Sequence, residues 1–167
     1  MILVTHAIIG ATVAFALREN PLIGFLAAFA SHFAADAIPH WEYRIISLER
    51  NATDYLSSRF AIGKNFAYDI LRAGTDCAFG VGIPTLIVSS QSPENIWIVL
   101  WGAAGGVLPD FLQLVYFLFP NSPLRFVQRF HHFIHAKQRM YDRPVLGISI
   151  QAMICALCLF GMGMLAS

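Results

Sequence analysis

Charge is what this chain has least of. Asp, Glu, Lys and Arg make up 13% of its 167 residues and the formal net charge is +1, where a soluble domain carries roughly 25% charged residues. That is too little charge for a disordered chain or a coiled coil, and too little positive excess to hold a nucleic acid by its phosphates. Thiolates are scarce as well. Of the three cysteines, Cys155 and Cys158 spell C-x-x-C inside an apolar run with no base beside them, so they read as small core residues. No internal repeat or low-complexity tract is present. No Lys or Arg precedes the first apolar run, so residues 1–17 read as a retained helix, despite an A-x-A-like Ala14-Phe15-Ala16.

What the chain does have is apolar length. Hydrophobic residues make up 57% of it, Phe alone occurs 14 times, and the mean hydropathy is +0.60. This composition predicts an all-α integral membrane bundle forming one domain over 1–167. Five transmembrane helices are expected, at about 2–17, 21–41, 73–90, 96–119 and 145–166. The first is short: at 1.5 Å per residue it reaches about 24 Å, against a hydrocarbon core of roughly 30 Å. Pro21 and Pro93 stand where a helix start tolerates them.

The basic residues then set an orientation. Arg44, Arg50, Arg59, Lys64 and Arg72 lie between the second and third spans, and Arg125, Arg129, Lys137, Arg139 and Arg143 between the fourth and fifth. Both segments fall on one side, which leaves Arg18 alone on the other. The excess of positive charge marks the cytoplasmic side, so the N-terminus is expected inside and the C-terminus outside.

Ionisable groups at membrane depth are costly and point to function. Those of this chain are His6, His32, Asp36, His40, Asp69, Asp76, Asp110, His131, His132 and His135. Projected onto the spans, all six histidines fall on the cytoplasmic side, although only Lys and Arg were used to orient them. The spacing of His32, Asp36 and His40, four and four, stacks them on one helical face, with Pro39 bending the helix just before His40. Residues 124–141 read as an amphipathic helix lying in the interface. Phe126, Val127, Phe130, Phe133, Ile134, Met140 and Tyr141 form its apolar face, and Arg125, Arg129, His132 and Arg139 the opposite one. His131 and His135, on the border, point toward the mouth of the bundle.

Imidazoles and carboxylates without thiolates are the ligand set of a catalytic Zn²⁺, Mn²⁺ or Fe site. The core ligands are His32, Asp36, His40, Asp110, His131 and His135, with His6 and Asp76 next. Asp36 or Asp76 is the candidate general base, and Glu42 can replace either. Asp69 pairs more simply with Arg72 along a helix edge, and His132 groups with the surface arginines. Arg44, Arg125 and Arg129 are candidate clamps for a phosphate headgroup. The reaction this predicts is hydrolysis of a lipid-like phosphoester or acyl bond by a metal-activated water.

Three motifs also carry a family resemblance: Thr5-His6 with Gly10, Gly106-Val107-Leu108-Pro109-Asp110, and His131-His132-Phe133-Ile134-His135. Together they resemble the bacterial membrane-bound metal-dependent hydrolases, inner-membrane proteins distantly similar to zinc-dependent phospholipase C. The resemblance implies metal ligation by His6, Asp110 and His135, with His131 or His132 as a further ligand, and a place in the bacterial inner membrane among lipid partners. Two other classes use the same residues. A metal-ion or small-molecule transporter needs polar groups along the outer halves of the spans, which are scarce here. A bis-histidine haem protein needs two histidines facing one cavity with few carboxylates around the iron.

Overall fold

The computed structural model describes residues 1–120, 123–136 and 140–167. Six helices carry the fold: α1 (Leu3–Ala16), α2 (Pro21–Asp36), α3 (Lys64–Gln91), α4 (Ile96–Leu118), α5 (Arg125–Ile134) and α6 (Pro144–Ala166). A two-residue hairpin pairs β1 (Leu48–Glu49) with β2 (Arg59–Phe60), Leu48 opposite Phe60. The all-α expectation holds.

Three helical segments are long and apolar enough to cross a membrane: Lys64–Gln91, Pro93–Leu118 and Pro144–Ala166. The other two expected spans are shorter than the sequence implied. α1 has 14 residues and α2 has 16, about 21 and 24 Å of helix, less than a hydrocarbon core of roughly 30 Å. The outer faces of the long helices are apolar and open, with Leu71, Leu86 and Phe160 each 71% exposed. Such faces suit a lipid solvent.

Local chemistry explains where the helices start and stop. The Asn20 side chain accepts the Ile23 N–H at 3.2 Å and Pro21 occupies the first turn of α2, a standard N-terminal pairing. At its other end α2 stops at Asp36 instead of running to 41, because Pro39 drives residue 38 out of the helical region. His40 is therefore on a loop, and the expected face of three stacked residues is a face of two. α3 begins at Lys64, well before the expected 73: its first turns carry Lys64, Asn65, Asp69 and Arg72, which hydropathy alone reads as loop. α5 ends at Ile134; residues 137–139, Lys137 and Arg139 among them, lie outside the described residues.

α1 is the centre of the bundle and packs against α2, α3, α4 and α6. Ala7, Ala11 and Phe15 join Val88, Val99, Ala103 and Met162 in the principal core cluster. Its tightest contact is with α4, through Gly10, Gly102 and Gly106. A Cβ on Gly10 would stand 2.5 Å from the Gly102 carbonyl oxygen and 2.8 Å from Gly106 Cα. Only glycine lets the two backbones approach this closely, the small-residue packing common between helices in lipid.

The 37–63 segment folds over one end of the bundle. Asp69 accepts both the Ser47 N–H (2.8 Å) and its hydroxyl (2.7 Å) and pairs with Arg72 at 3.1 Å, so the structural reading of Asp69 holds. Tyr116 ties Leu56 O to α4 at 2.8 Å. Asp54 caps a short turn over Tyr55–Ser57. The Ser57 hydroxyl and the Leu56 N–H hold the Asp54 carboxyl below its ordinary pKa, with Arg125 and Arg129 adding positive field.

Candidate metal centre

Asp36 ends α2 with its carboxylate 1% exposed, and five imidazoles converge on it. His131 Nε2 lies 2.9 Å from Oδ2, His32 Nε2 3.3 Å and His135 Nε2 3.8 Å. His6 Nε2 lies 3.1 Å and His40 Nε2 3.9 Å from Oδ1. The amino nitrogen of Met1 also touches Oδ1.

Each imidazole is aimed by its backbone. His32 Nδ1 donates to the Gly106 carbonyl at 2.8 Å, His40 Nδ1 to Ile38 O at 2.6 Å and His135 Nδ1 to Ala136 O at 3.2 Å. With Nδ1 donating, Nε2 keeps its lone pair, and all three Nε2 atoms face the same carboxylate. This is the outer-shell arrangement that fixes the tautomer of a metal-ligating histidine. Gly106 reaches His32 across the contact of α2 with α4, at the point where α4 also meets α1. Asp110, one turn further along α4, presents its carboxylate to the same ring, 3.8 Å from His32 Nε2.

One pair of candidate ligand atoms has the separation expected across a tetrahedral ion. His32 Nε2 and His131 Nε2 are 3.3 Å apart, and ligands 2.0–2.1 Å from a tetrahedral ion stand about 3.3 Å from one another. Among the described residues two groups could hold an ion: His32, Asp36, Asp110 and His131, and Asp36, His40 and His135. Buried His40 Nε2 and His131 Nδ1 have no hydrogen-bond partner, nor does either ring nitrogen of His6. Buried polar atoms are rarely left so.

The remaining candidates sort by position. His6 stacks on His32 with ring centroids 3.8 Å apart and touches Asp36, but belongs to neither ligand group. Of the two histidines the family motif left open, His131 joins the cluster; exposed His132 stacks on Tyr55 at 4.4 Å. Asp76 sits at the start of α1, where it accepts backbone N–H groups of Val4 and Leu3 and the Tyr43 hydroxyl at 3.4 Å. Burial and the Asp76 charge push the Tyr43 phenol above its ordinary pKa, so it stays a donor. Glu42 faces the second group, its Oε2 3.5 Å from His135 and 3.8 Å from His40, while Tyr141 donates to its Oε1 at 3.0 Å.

The cluster opens into a cavity of about 370 Å³. Asp36, Glu42, Asp110, His131 and His135 line its polar end; Ile70, Ala73 and Gly74 of α3 face Val107, Phe111 and Leu114 of α4 along the rest. The only Lys or Arg among the described lining residues is Arg50, which the sequence reading passed over. Of the three arginines it favoured, Arg44 lies over the Tyr141 ring at 5.1 Å, and Arg125 and Arg129 act on Asp54.

No protein-family model, curated protein or solved structure matches the chain. Fold and site therefore define it as an all-helical protein, with three helices able to cross a membrane and a His/Asp cluster able to hold a metal ion.

Proposed function

We propose that the protein is a membrane-embedded, metal-dependent hydrolase acting on a lipid-like phosphoester or acyl substrate. The observation that carries this reading is the joining of a buried His/Asp cluster to a cavity whose remaining walls are mostly apolar. An amphiphile matches both ends, its polar head at the cluster and its chain between α3 and α4. In this reading α1 and α2 count as two short spans in a locally thinned bilayer, completing five, with the N-terminus cytoplasmic in a bacterial inner membrane. Zinc suits the nitrogen and oxygen ligands and their number, with manganese and iron as the alternatives. The resemblance to the membrane-bound metal-dependent hydrolases supports the same reading.

A divalent ion bound by the cluster supplies Lewis acidity, polarising a substrate oxygen and bringing the pKa of a water toward about 7. His32, His131 and Asp110 hold and orient the site. Glu42 Oε2 takes the water's proton and returns it to the leaving group, its other oxygen fixed by Tyr141. Arg50 meets an anionic headgroup, and the apolar walls exclude bulk water from the bond to be cleaved.

The test is elemental analysis of the purified chain beside an Asp36→Ala, His135→Ala double variant, followed by mass spectrometry of nanodisc lipids. Stoichiometric metal that vanishes in the variant, with headgroup or fatty-acid release that needs the metal, is the expected result. Folded protein that takes up no zinc, manganese or iron refutes the proposal.

A further inference from the structure

We propose that the centre holds two divalent cations bridged by the carboxylate of Asp36. This rests on the metal-binding reading above and adds a second ion position to it.

Asp36 is the one residue shared by the two ligand groups. Its oxygens face different partners. Oδ2 lies 2.9 Å from His131, 3.3 Å from His32 and 3.8 Å from His135, whereas His40 approaches Oδ1 at 3.9 Å, the oxygen that His6 and the Met1 amino nitrogen also touch. A carboxylate bridging through both oxygens serves one ion on each.

An independent observation comes from His40. It stands on a loop, yet its ring is 1% exposed and its Nε2 has no hydrogen-bond partner. Its Nδ1 is committed to Ile38 O, so Nε2 is a bare lone pair aimed between Asp36 and Glu42. Burying that atom is costly unless a ligand occupies the space in front of it. An ion on the first group does not reach it, because His40 belongs only to the second.

Charge balance points the same way. Three carboxylates, Asp36, Glu42 and Asp110, face the cluster. With the Met1 ammonium on Asp36 included, one divalent cation only neutralises that set, whereas two make it net positive, which attracts a phosphate. The two positions are also unlike. The first group supplies four protein ligands, the number a closed tetrahedral site takes. The second supplies three, leaving a position beside Glu42 on the cavity side, the pattern of a catalytic ion. The second ion therefore meets the substrate and the first completes the charge and geometry.

Two measurements on the full-length chain in detergent decide this. Metal-stripped protein is reloaded with Zn²⁺ or Mn²⁺, freed of excess metal, and its metal-to-chain ratio determined for wild type, His40→Ala and Asp110→Ala. The expected ratios are about two, one and one, and Mn²⁺-loaded wild type gives the electron paramagnetic resonance spectrum of an exchange-coupled pair, which both variants replace with that of an isolated ion. A wild-type ratio of one that His40→Ala leaves unchanged, with an isolated-ion spectrum, overturns the second position and leaves the hydrolase reading intact. A ratio of zero overturns both. If either variant fails to fold, the wild-type ratio and spectrum decide alone.

Discussion

Gly10→Ala tests whether the backbone contact of α1 with α4 builds the site. A methyl on Gly10 would meet the Gly102 carbonyl oxygen at 2.5 Å and the backbone of Gly106 at 2.8 and 2.9 Å. All three neighbours are main-chain atoms, so no side chain can rotate aside and the helices must part by about 1 Å. Overpacking of this kind costs typically 1–3 kcal/mol, offset by up to about 1 kcal/mol from alanine's better helix propensity. A net loss near 2 kcal/mol lowers the melting temperature by roughly 4–8 °C for a chain of this size. Gly163→Ala on α6 is the matched control, since its Cβ would have no atom within 4 Å; it is expected to hold or slightly raise the melting temperature. Parting α1 from α4 also draws Gly106 O away from His32 Nδ1 on α2, which loosens the aim of the His32 ring at Asp36 and His131. Metal affinity therefore falls at least tenfold in Gly10→Ala and not in Gly163→Ala. Thermal melting in detergent, with and without metal, reads both effects. Equal melting and equal metal affinity for the two variants would refute the reasoning.

Other expectations are more local. Arg50→Ala raises KM for an anionic lipid about tenfold with little change in kcat, the loss of one charge-assisted hydrogen bond; Arg125→Ala and Arg129→Ala leave KM unchanged in the same assay. Glu42→Gln retains its metal but loses at least a hundredfold in kcat, and equal turnover would remove Glu42 as the proton acceptor. The Asp54 carboxyl titrates below the ordinary range in a carbon-13 NMR experiment. Because its folded-state pKa is depressed, its support of the Tyr55–Ser57 turn is complete above the ordinary carboxylate pKa and is lost as pH falls through the lowered value. Gln151→Leu on α6 destabilises the chain by about 1 kcal/mol, since it leaves the half-buried Trp41 carbonyl without the bond it now receives at 2.8 Å; chemical denaturation measures it.

How much of this was legible in the sequence follows from the range of each signal. His32 and Asp36 lie one helical turn apart, and that periodicity put them on one face before any tertiary contact was known. Asp69 with Arg72 was legible for the same reason. The gathering of the histidines at one end was readable because apolar length fixes which residues share an end of a helix. His40 was half legible: Pro39 marked a break, but only the path of the loop shows that His40 returns to Asp36. Arg50 was invisible, because its approach to the cavity depends on pairing Leu48–Glu49 with Arg59–Phe60, a contact too short to leave a pattern. Hydropathy failed at α3, whose polar first turns are helical by packing on the Ser47 loop rather than by amphipathic period. It failed again at α1 and α2, where an apolar run signalled burial but not by what. Gln151 stood in plain view as a polar residue within an apolar helix, and its partners Trp41 and Ile2 are the part that distance in sequence concealed.

The central place of α1 sets the order in which the molecule can be completed. Of the six helices α1 is made before the others, yet the glycines it packs against belong to α4, which follows only after α2, the loop and the whole of α3 have been made. Until then its closest backbone contact has no partner, so the helix made first of the six is among the last to be fully seated. The cluster is later still, because α5 contributes His131 after four helices are in place. In the proposed reading, a metal ion therefore cannot serve as a template for the first helices: its complete ligand set exists only once α5 has joined α2 and α4.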